Sequence, residues 1–430
     1  MTRNAKRSAA ARAVTVAAAA LTLLLTSTSH ADAAEPVGPR LPLGDADLVE
    51  TRSSRTLADG VTLTRIVRGT DPAPPGEINT TTRGPWVVNV LTIDPHRADG
   101  HLAVTYGPDL AGTERTTDLV RSAGALVGVN ASFFTFTANR QYPGDPVGLG
   151  LYDGRLLSEP TNDPTEADFV LDARTHRTLM GKLTWFGKVK NRETGAELPL
   201  EYLNHPPVVP ADCTVPAPGT TCASSGDVVR FTHDFAPATP SGVGAEVVLD
   251  RKGCVVRTAT TRGTALAPGE TSLQATGRES ADLLRVAGSG CVRTVSRLFD
   301  ERGRHIPVRD GLYGVNGRYR LTQDGEIVVP DGVGSFFDRN PRTIAGTTRD
   351  GRIVFATIDG RMTTGVGTTM KETAAVAHAL GLRDAVNLDG GGSTTMSLQG
   401  TLVNKPSGAS ERPVGDAIVY LEGSYRPSRV

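Results

Sequence analysis

The 430-residue chain lacks the features of several common protein classes. Its 46 basic and 46 acidic residues cancel, so binding to nucleic acid or to an anionic membrane is not expected. It contains four cysteines but no Cys-x-x-Cys pair, and no histidine pair at zinc spacing, so no metal site is expected. It also lacks the Gly-Lys-Ser/Thr of a nucleotide-binding loop, and we expect no cofactor.

Long apolar runs are also missing, apart from one at the N-terminus. There, four basic residues precede an apolar run over residues 14–25, which is shorter than the about 20 residues that span a bilayer. Residues 31–33 read Ala-Asp-Ala and match a signal-peptidase site. The sequence therefore predicts a signal peptide at residues 1–33 and a secreted protein that begins at Ala34.

All four cysteines lie in the part of the chain that would be exported. An oxidising compartment favours two disulfides over a metal site, and three pairings are possible. Cys213–Cys222 and Cys254–Cys291 are favoured because each closes a modest loop in a segment without long apolar runs. Such bridges typically contribute about 2–4 kcal/mol each, and their role would be structural.

Glycine (48) and proline (28) are plentiful, which favours many turns and short strands. The predicted fold class is α+β, with mixed β-sheets, a few packing helices and a β-rich middle segment. Helices are predicted over residues 117–123, 278–286 and 370–380. Residues 34–83 would form an N-terminal strand and a Pro-rich connector, and residues 84–425 the main domain. Its β-rich, Cys-containing segment would span about 180–330.

The most distinctive stretch is residues 384–396. An apolar strand precedes Asp389, three glycines and several hydroxyl side chains follow it, and a second strand is predicted over residues 394–399. Glycine lets a ligand approach the backbone closely, and amides beside a carboxylate suit an anionic or sugar ligand. The alternative is a tight turn that needs glycine for its geometry alone.

Other polar residues stand at the ends of predicted elements. Asn130 and Asp359 each follow an apolar strand, where active sites of mixed proteins commonly lie. Asn130 could instead close an Asx-turn. Glu372 stands three residues after Thr369, and this capping-box spacing gives it a structural interpretation beside a catalytic one.

Seven short motifs occur in one order and together resemble the phosphodiester glycosidase family over about residues 84–422. They are Asn-Ala-Ser-Phe-Phe at 130–134, Pro-Arg-Thr at 341–343, Asp-Gly-Arg at 359–361, Glu372 after residues 365–369, Asn-Leu-Asp-Gly-Gly-Gly-Ser at 387–393, Asn-Lys-Pro-Ser at 404–407 and Glu-Arg-Pro-Val at 411–414. Ala131 and Ser132 stand where the family usually has two glycines. This difference affects the sugar specificity expected on that side of the site. The resemblance implies a phosphodiester glycosidase-like fold, removal of a sugar from a sugar phosphodiester, and for bacterial members a link to exopolysaccharide.

This resemblance, together with the chemistry of the reaction, suggests roles for individual residues. The anomeric carbon needs a carboxylate, and the departing phosphate needs cationic or N–H partners. Arginine binds phosphate in bidentate fashion, unlike lysine. The predicted catalytic residues are Asp389, Asp359 and Glu372. The predicted substrate-binding residues are Asn130, Arg342, Thr343, Gly390, Gly391, Gly392, Ser393 and Thr394.

The sequence thus predicts a secreted glycosidase that cleaves the glycosidic C–O bond of a glycosyl phosphodiester, with a cell-wall or extracellular glycan as its partner. Two alternatives stay open: a non-catalytic carbohydrate-binding or cell-wall protein, and a phosphodiesterase that cleaves P–O. A serine hydrolase at Ser393 is disfavoured, because the second glycine of G-x-S-x-G is missing and no helix is predicted to follow.

Overall fold

The computed structural model describes residues 38–214 and 222–427. The predicted signal peptide at residues 1–33 lies outside these ranges and stays a prediction. Contacts divide the chain into Met1–Gly38 and Pro39–Val430, and the description below concerns the second unit. Within the described ranges, no helix combines the length and apolar character needed to cross a membrane.

The described residues form 27 strands and three α-helices, which confirms the predicted α+β class. The helices are α1 (Thr116–Ser122), α2 (Glu279–Ala287) and α3 (Met370–Ala379), close to the three predicted positions. The first strands are β1 (Glu50–Ala58), β2 (Val61–Arg68), β3 (Trp86–Ile93), β4 (Gly100–Tyr106), β5 (Val127–Asn130), β6 (Gly150–Tyr152), β7 (Arg155–Ser158), β8 (Asp168–Asp172), β9 (Thr178–Gly181), β10 (Thr184–Asn191), β11 (Glu197–Pro199), β12 (Tyr202–Leu203), β13 (Ser225–Thr232) and β14 (Gly242–Leu249). The others are β15 (Val255–Arg262), β16 (Thr271–Gly277), β17 (Val292–Phe299), β18 (His305–Ile306), β19 (Leu312–Val315), β20 (Arg318–Gln323), β21 (Glu326–Ile327), β22 (Arg342–Thr348), β23 (Ile353–Ile358), β24 (Leu382–Leu388), β25 (Met396–Leu398), β26 (Thr401–Leu402) and β27 (Asp416–Glu422).

An eight-stranded sheet of order β1-β2-β3-β23-β22-β24-β20-β21 organises the molecule. Its neighbouring strands are antiparallel, and its central strands are apolar on both faces because both faces are covered. Val354, Ala356 and Ile358 of β23 belong to the core on the α3 side. Ile353 and Phe355 belong to the core that includes strands β4, β5 and β27.

Helix α3 begins and ends where its sequence indicates. The Thr369 hydroxyl accepts a hydrogen bond from the Glu372 amide at 3.1 Å, and the Glu372 carboxylate accepts one from the Thr369 amide at 2.8 Å. This reciprocal pair is the predicted capping box, which satisfies two amides that the first helical turn leaves unpaired. Gly381 follows the helix with a φ of +75°, a conformation that favours glycine.

A second sheet, of order β26-β25-β5-β27-β4, lies beside the organising sheet. In its register Met396 of β25 faces Val129 of β5, and Asn130 faces Ala417 of β27. The strand after the glycine stretch is therefore paired with the strand that delivers Asn130. A five-stranded sheet of order β7-β6-β19-β8-β9 completes this part of the molecule.

The middle segment is β-rich, as expected. It contains sheets of order β12-β13-β16-β14-β15 and β11-β10-β17-β18, with α2 packed on a shared apolar core. The four cysteines are brought together as Cys213–Cys222 and Cys254–Cys291, with Cα–Cα distances of 5.1 and 3.8 Å. These are the two pairs that the sequence favours.

Strands on both sides of the predicted boundary at Gly84 lie in one sheet. Strand β2 pairs along its whole length with β3, so that Val67 faces Val87. Residues 50–68 therefore extend the organising sheet. The division of the chain into residues 34–83 and 84–425 stays a prediction.

Candidate active site

Three adjacent strands bring the predicted site residues to one edge of the organising sheet. Strand β22 lies between β23 and β24, and in this register Arg342 faces Ile358 while Thr343 faces Leu388. Asp359 directly follows β23, and Asp389 directly follows β24. The antiparallel pairing thus gathers residues that are far apart in the chain.

Asn130 links this edge to the second sheet through hydrogen bonds of its side chain. Its side-chain nitrogen donates to the Asp389 carbonyl at 2.7 Å, and its oxygen accepts from the Thr343 hydroxyl at 2.8 Å and the Thr395 amide at 3.0 Å. Asn130 and Thr343 are both 0% exposed. Their polar atoms face neighbouring strands and position the backbone around Asp389, and the contact of Asn130 and Thr343 with substrate stays a prediction.

The Asp389 carboxyl group is mostly buried. One oxygen accepts from the Gly390 amide at 2.9 Å, and the other lies 3.5 Å from the Arg412 guanidinium. Burial raises the pKa of Asp389 from 3.8 to about 6. The Ser393 hydroxyl and the Arg412 charge act in the opposite direction, while the Asp416 charge adds to the rise. Asp389 therefore titrates near neutral pH, where acid–base groups work best.

Arg412 is the cation nearest to this carboxylate. Its Nε donates to the Ser393 hydroxyl at 3.0 Å, and a terminal nitrogen donates to the Gly390 carbonyl at 3.3 Å. The guanidinium also lies over the Phe136 ring, 4.8 Å from its centre. The roles assigned from the sequence omitted Arg412, although it lies within the 411–414 motif, and that motif was the available signal.

Arg342 is buried among backbone carbonyls, and its predicted contact with phosphate stays a prediction. It is 3% exposed, its Nε donates to the Thr368 carbonyl at 3.2 Å, and one terminal nitrogen donates to the carbonyls of Phe336 (2.7 Å) and Asp338 (2.9 Å). Burial lowers the pKa of Arg342 to about 10, and the Arg361 charge lowers it further. Backbone carbonyls thus occupy two of its three nitrogens, and Arg342 ties the segment before β22 to the segment before α3.

The glycine loop is mostly bonded to itself and to its neighbours. The Gly390 amide donates to Asp389, the Gly391 amide to the Pro341 carbonyl at 2.9 Å, and the Ser393 amide to the Gly390 carbonyl at 3.1 Å. Among the described residues, only the Gly392 amide of these four has no partner. Three of the four loop amides thus have a partner within the protein, and the predicted binding of substrate by residues 390–393 stays a prediction.

Glycine is required here for geometry as well. Gly391 has a φ of +60°, and a Cβ on Gly390 would lie 2.8 Å from the Pro341 carbonyl oxygen. The turn interpretation of the glycines thus accounts for two of the three positions.

Ser393 and Thr394 lie beneath the loop, with exposures of 0% and 2%. The Ser393 hydroxyl links Arg412 to Asp389. The Thr394 hydroxyl lies 3.5 Å from the Thr343 hydroxyl, and its carbonyl accepts from the Asn404 side chain at 3.0 Å. Both buried side chains position their neighbours, and direct contact of Ser393 and Thr394 with substrate stays a prediction.

Asp359 occupies a separate environment at the same sheet edge. It is 3% exposed, and its oxygens lie 3.3 and 3.4 Å from the Lys405 amide nitrogen. Burial raises the pKa of Asp359 to about 6, against the opposing influence of the Lys405 amide, the Arg65 charge and the Asn404 side chain. The groups that shift the pKa of Asp359 thus differ from those that shift the pKa of Asp389.

Asp416 is a further buried carboxyl that sequence reasoning missed. It is 1% exposed and accepts from the Ser132 amide and hydroxyl, both at 2.7 Å, and from the Tyr152 hydroxyl at 2.9 Å. Burial raises the pKa of Asp416. The Ser132 side chain points inward to Asp416. The replacement of the usual family glycine by Ser132 therefore affects the hydrogen bonding of this carboxylate and not an exposed sugar-binding surface.

The Glu372 carboxylate makes two contacts that stabilise the fold. Besides the capping box, it forms an ion pair with Arg339 at 2.7 Å, and the Arg339 side chain is 8% exposed. The capping interpretation is confirmed. A catalytic role for Glu372 stays a prediction, and one substitution separates the two.

We expect Glu372→Gln to leave turnover of a glycosyl phosphodiester within about twofold of the native rate. The amide oxygen can still accept from Thr369, but the Arg339 charge loses its partner, which should lower the free energy of unfolding by about 1–2 kcal/mol. Steady-state kinetics and urea unfolding measure the two effects. A hundredfold loss of turnover with unchanged stability would instead make Glu372 catalytic.

Comparisons with known proteins agree with this arrangement. Residues 243–421 match the model of the family described as phosphodiester glycosidase. A Burkholderia pseudomallei K96243 protein described as exported is 27% identical to this chain, with a TM-score of 0.75 over 89% of this chain and 98% of that one. A hypothetical protein from Synechocystis shares the fold at 20% identity, with a TM-score of 0.63 over 84% of this chain and 62% of that one.

One curated relative matches over a shorter stretch. The SPbeta prophage-derived uncharacterized protein YomE of Bacillus subtilis (strain 168) is 34% identical over 80 residues. The match covers 19% of this chain and only 12% of that relative's length. The family match includes Asp359, Asp389, Arg412 and Asp416. The resemblance indicated by the ordered motifs is thereby confirmed: residues 243–421 of this chain match the model of the phosphodiester glycosidase family.

Proposed function

We propose that this protein is a secreted glycosidase that hydrolyses a glycosyl phosphodiester at the glycosidic C–O bond, acting on a cell-wall or extracellular glycan. The family match supports the class of reaction. The relative described as exported and the two cysteine pairs support an extracellular location. The substrate class follows from the chemistry of the site.

The observation that carries the proposal is the pairing of Asp389 with Arg412. A carboxylate is needed beside the anomeric carbon, and a cation is needed where the phosphate departs. Asp389 and Arg412 supply these two groups 3.5 Å apart. With a pKa of about 6, Asp389 is largely ionised at neutral pH.

The sugar would rest on neighbouring groups at the surface of this site. Phe136 is 43% exposed and stacks against Arg412, so that its ring offers an apolar surface to a sugar face. The free Gly392 amide is the remaining backbone donor for the phosphate. The backbone of Phe136 has a φ of +48°, which is uncommon for a residue other than glycine. Such backbone conformations often occur at ligand sites.

In the proposed reaction the C1–O bond breaks and its electron pair leaves with the phosphate, which Arg412 stabilises. A water oxygen then bonds to C1. Asp389 stabilises the positive charge that develops on the sugar and accepts the proton that water gives up. No acid is needed for the leaving group, because a phosphate monoester departs readily as an anion.

Hydrolysis of a glycosyl phosphodiester in ¹⁸O-water tests which bond breaks. We expect the label in the released sugar, because attack at C1 leaves the phosphate oxygens unchanged. Label in the phosphate would establish a phosphodiesterase that cleaves P–O. Glycan binding without release of any product would favour the non-catalytic alternative. Either outcome would contradict the proposal.

A further inference from the structure

A second cavity of about 790 Å³ lies on the β-rich middle segment, and none of the site residues above lines it. It is bounded by the turn between β6 and β7, the end of β13, the turn between β14 and β15, and the start of β17. We refer to it as the middle groove. Its volume is sufficient for several units of an extended ligand.

Most of the arginine and lysine residues that line the middle groove lack a side-chain partner, and Arg155, which pairs with Asp234, is the exception within the described lining. Five cations make no side-chain hydrogen bond or ion pair with any residue in the described ranges: Arg192, Arg230, Arg251, Lys252 and Arg293. Four of them are exposed at the rim, whereas Arg230 is half-buried. Five positive charges without an ion-pair contact around one concavity favour a positive potential that attracts anions.

The acidic residues of the same lining are already engaged. Asp234 pairs with Arg155 at 2.6 Å, and Glu270 pairs with Arg257 at 3.2 Å. Asp250 accepts from the amides of the turn that it closes, at 2.8 and 2.9 Å. The other two acids are Asp310, 3.9 Å from Arg174, and Asp153, which accepts from the Gly311 amide at 2.7 Å. The Asp234 charge also acts on Arg230, and Asp250 and Asp153 keep their negative charges, so the cations of the groove outnumber the acids without being free of them.

Arg230 is the most informative of these cations. It projects from β13, and burial lowers the pKa of its guanidinium. Arg230 is half-buried and has no hydrogen-bond acceptor among the described side chains, and a partly desolvated charge is stabilised by pairing. An anion bound in the groove would supply the missing acceptor.

The chemistry of the lining also limits what the anion can be. No phenylalanine, tyrosine or tryptophan lines the groove, and His233 supplies its one aromatic ring, so stacking of several nucleobases or sugar faces is not supported there. Recognition must instead depend on charge spread along the ligand. We propose that the middle groove binds an anionic glycan with repeated phosphate groups, with Arg230 contacting a phosphate in its interior. The identity of this polymer as substrate rests on the proposed function, but binding in the groove does not.

Calorimetric titration with a synthetic glycerol phosphate hexamer tests the proposal on the full mature protein. We expect the double variant Arg230→Gln/Arg251→Gln to bind about tenfold more weakly, since each loses a charge-assisted hydrogen bond. Arg297→Gln is the matched control: it removes an exposed arginine of β17 that has no partner among the described residues and lies outside the groove. Its affinity should equal that of the native protein. If the double variant does not fold, Arg251→Gln alone at the rim should still weaken binding severalfold.

The proposal is wrong if the folded variants bind the hexamer as tightly as the native protein, or if the native protein binds a thymidine hexanucleotide equally well. Hydrolysis of a short glycosyl phosphodiester is measured in parallel, because it should be unaffected by the groove variants. Groove binding without hydrolysis would overturn the proposed function alone. Hydrolysis without groove binding would overturn this inference alone.

Discussion

Asp389→Asn should lower turnover of a glycosyl phosphodiester by at least about 10³-fold while leaving the fold intact. The amide cannot accept a proton or stabilise a positive charge on the sugar, and loss of such a group typically reduces rates by 10²–10⁴-fold. It can still accept from the Gly390 amide, so the loop geometry should survive. Single-turnover kinetics and the free energy of unfolding measure the two parts.

The raised pKa of Asp389 makes the stability of the native protein depend on pH, and this dependence should be absent from Asp389→Asn. The pKa of Asp389 is about 6 in the folded protein and about 3.8 unfolded, so the folded state binds the proton more tightly. Its contribution to stability is therefore present below pH 4 and is lost as the pH rises through 6. Asp389→Asn should remove this loss, which for a rise from 3.8 to about 6 corresponds to about 3 kcal/mol at pH 7.

Asp359→Asn provides the matched comparison, because Asp359 follows the neighbouring strand and its pKa is also raised to about 6. It should show a similar gain in stability at pH 7 but a smaller loss of turnover, since Lys405 and Asn404 engage it away from Arg412. An Asp389→Asn variant that unfolds far more easily would make the carboxylate structural. A larger loss from Asp359→Asn would make Asp359 the principal catalytic carboxylate.

Arg412→Gln should lower kcat/KM for a glycosyl phosphodiester by about 10²–10³-fold, because a donor aimed at the departing anion is lost. Arg412→Lys should recover part of this loss, since it keeps the charge but not the forked contact with Ser393 and Gly390. The acid limb of the pH–rate profile should also move to higher pH in Arg412→Gln. The reason is that the Arg412 charge opposes the rise in the pKa of Asp389.

A glycoside with a neutral leaving group distinguishes the proposed role of Arg412 from a general structural one. If Arg412 binds the phosphate, the glutamine variant should lose much more activity on the phosphodiester than on the neutral glycoside. Equal losses on both substrates, with no movement of the acid limb, would contradict the proposed contact. They would leave Arg412 as a group that only holds Ser393 in place.

Local features were determined by the sequence alone. The strand β23, the helix α3 with its Thr369–Glu372 capping box, and the glycine stop at Gly381 depend on residues close together in the chain. Hydrophobic periodicity, capping and positive φ are local preferences, so they can be read without a fold. The ordered motifs likewise identified the family and placed Asp389 and Asp359 at strand ends.

Only the tertiary structure decided which polar groups are available to a ligand. Asn130 and Arg342 look like binding residues in sequence, yet Asn130 is bonded to distant strands and Arg342 to the carbonyls of residues 336, 338 and 368. Arg412, in a segment without regular structure, becomes the cation beside Asp389 because the chain returns there before β27. The physical reason is that a buried polar group must be paired, and its partners are chosen by packing and not by neighbours in the chain.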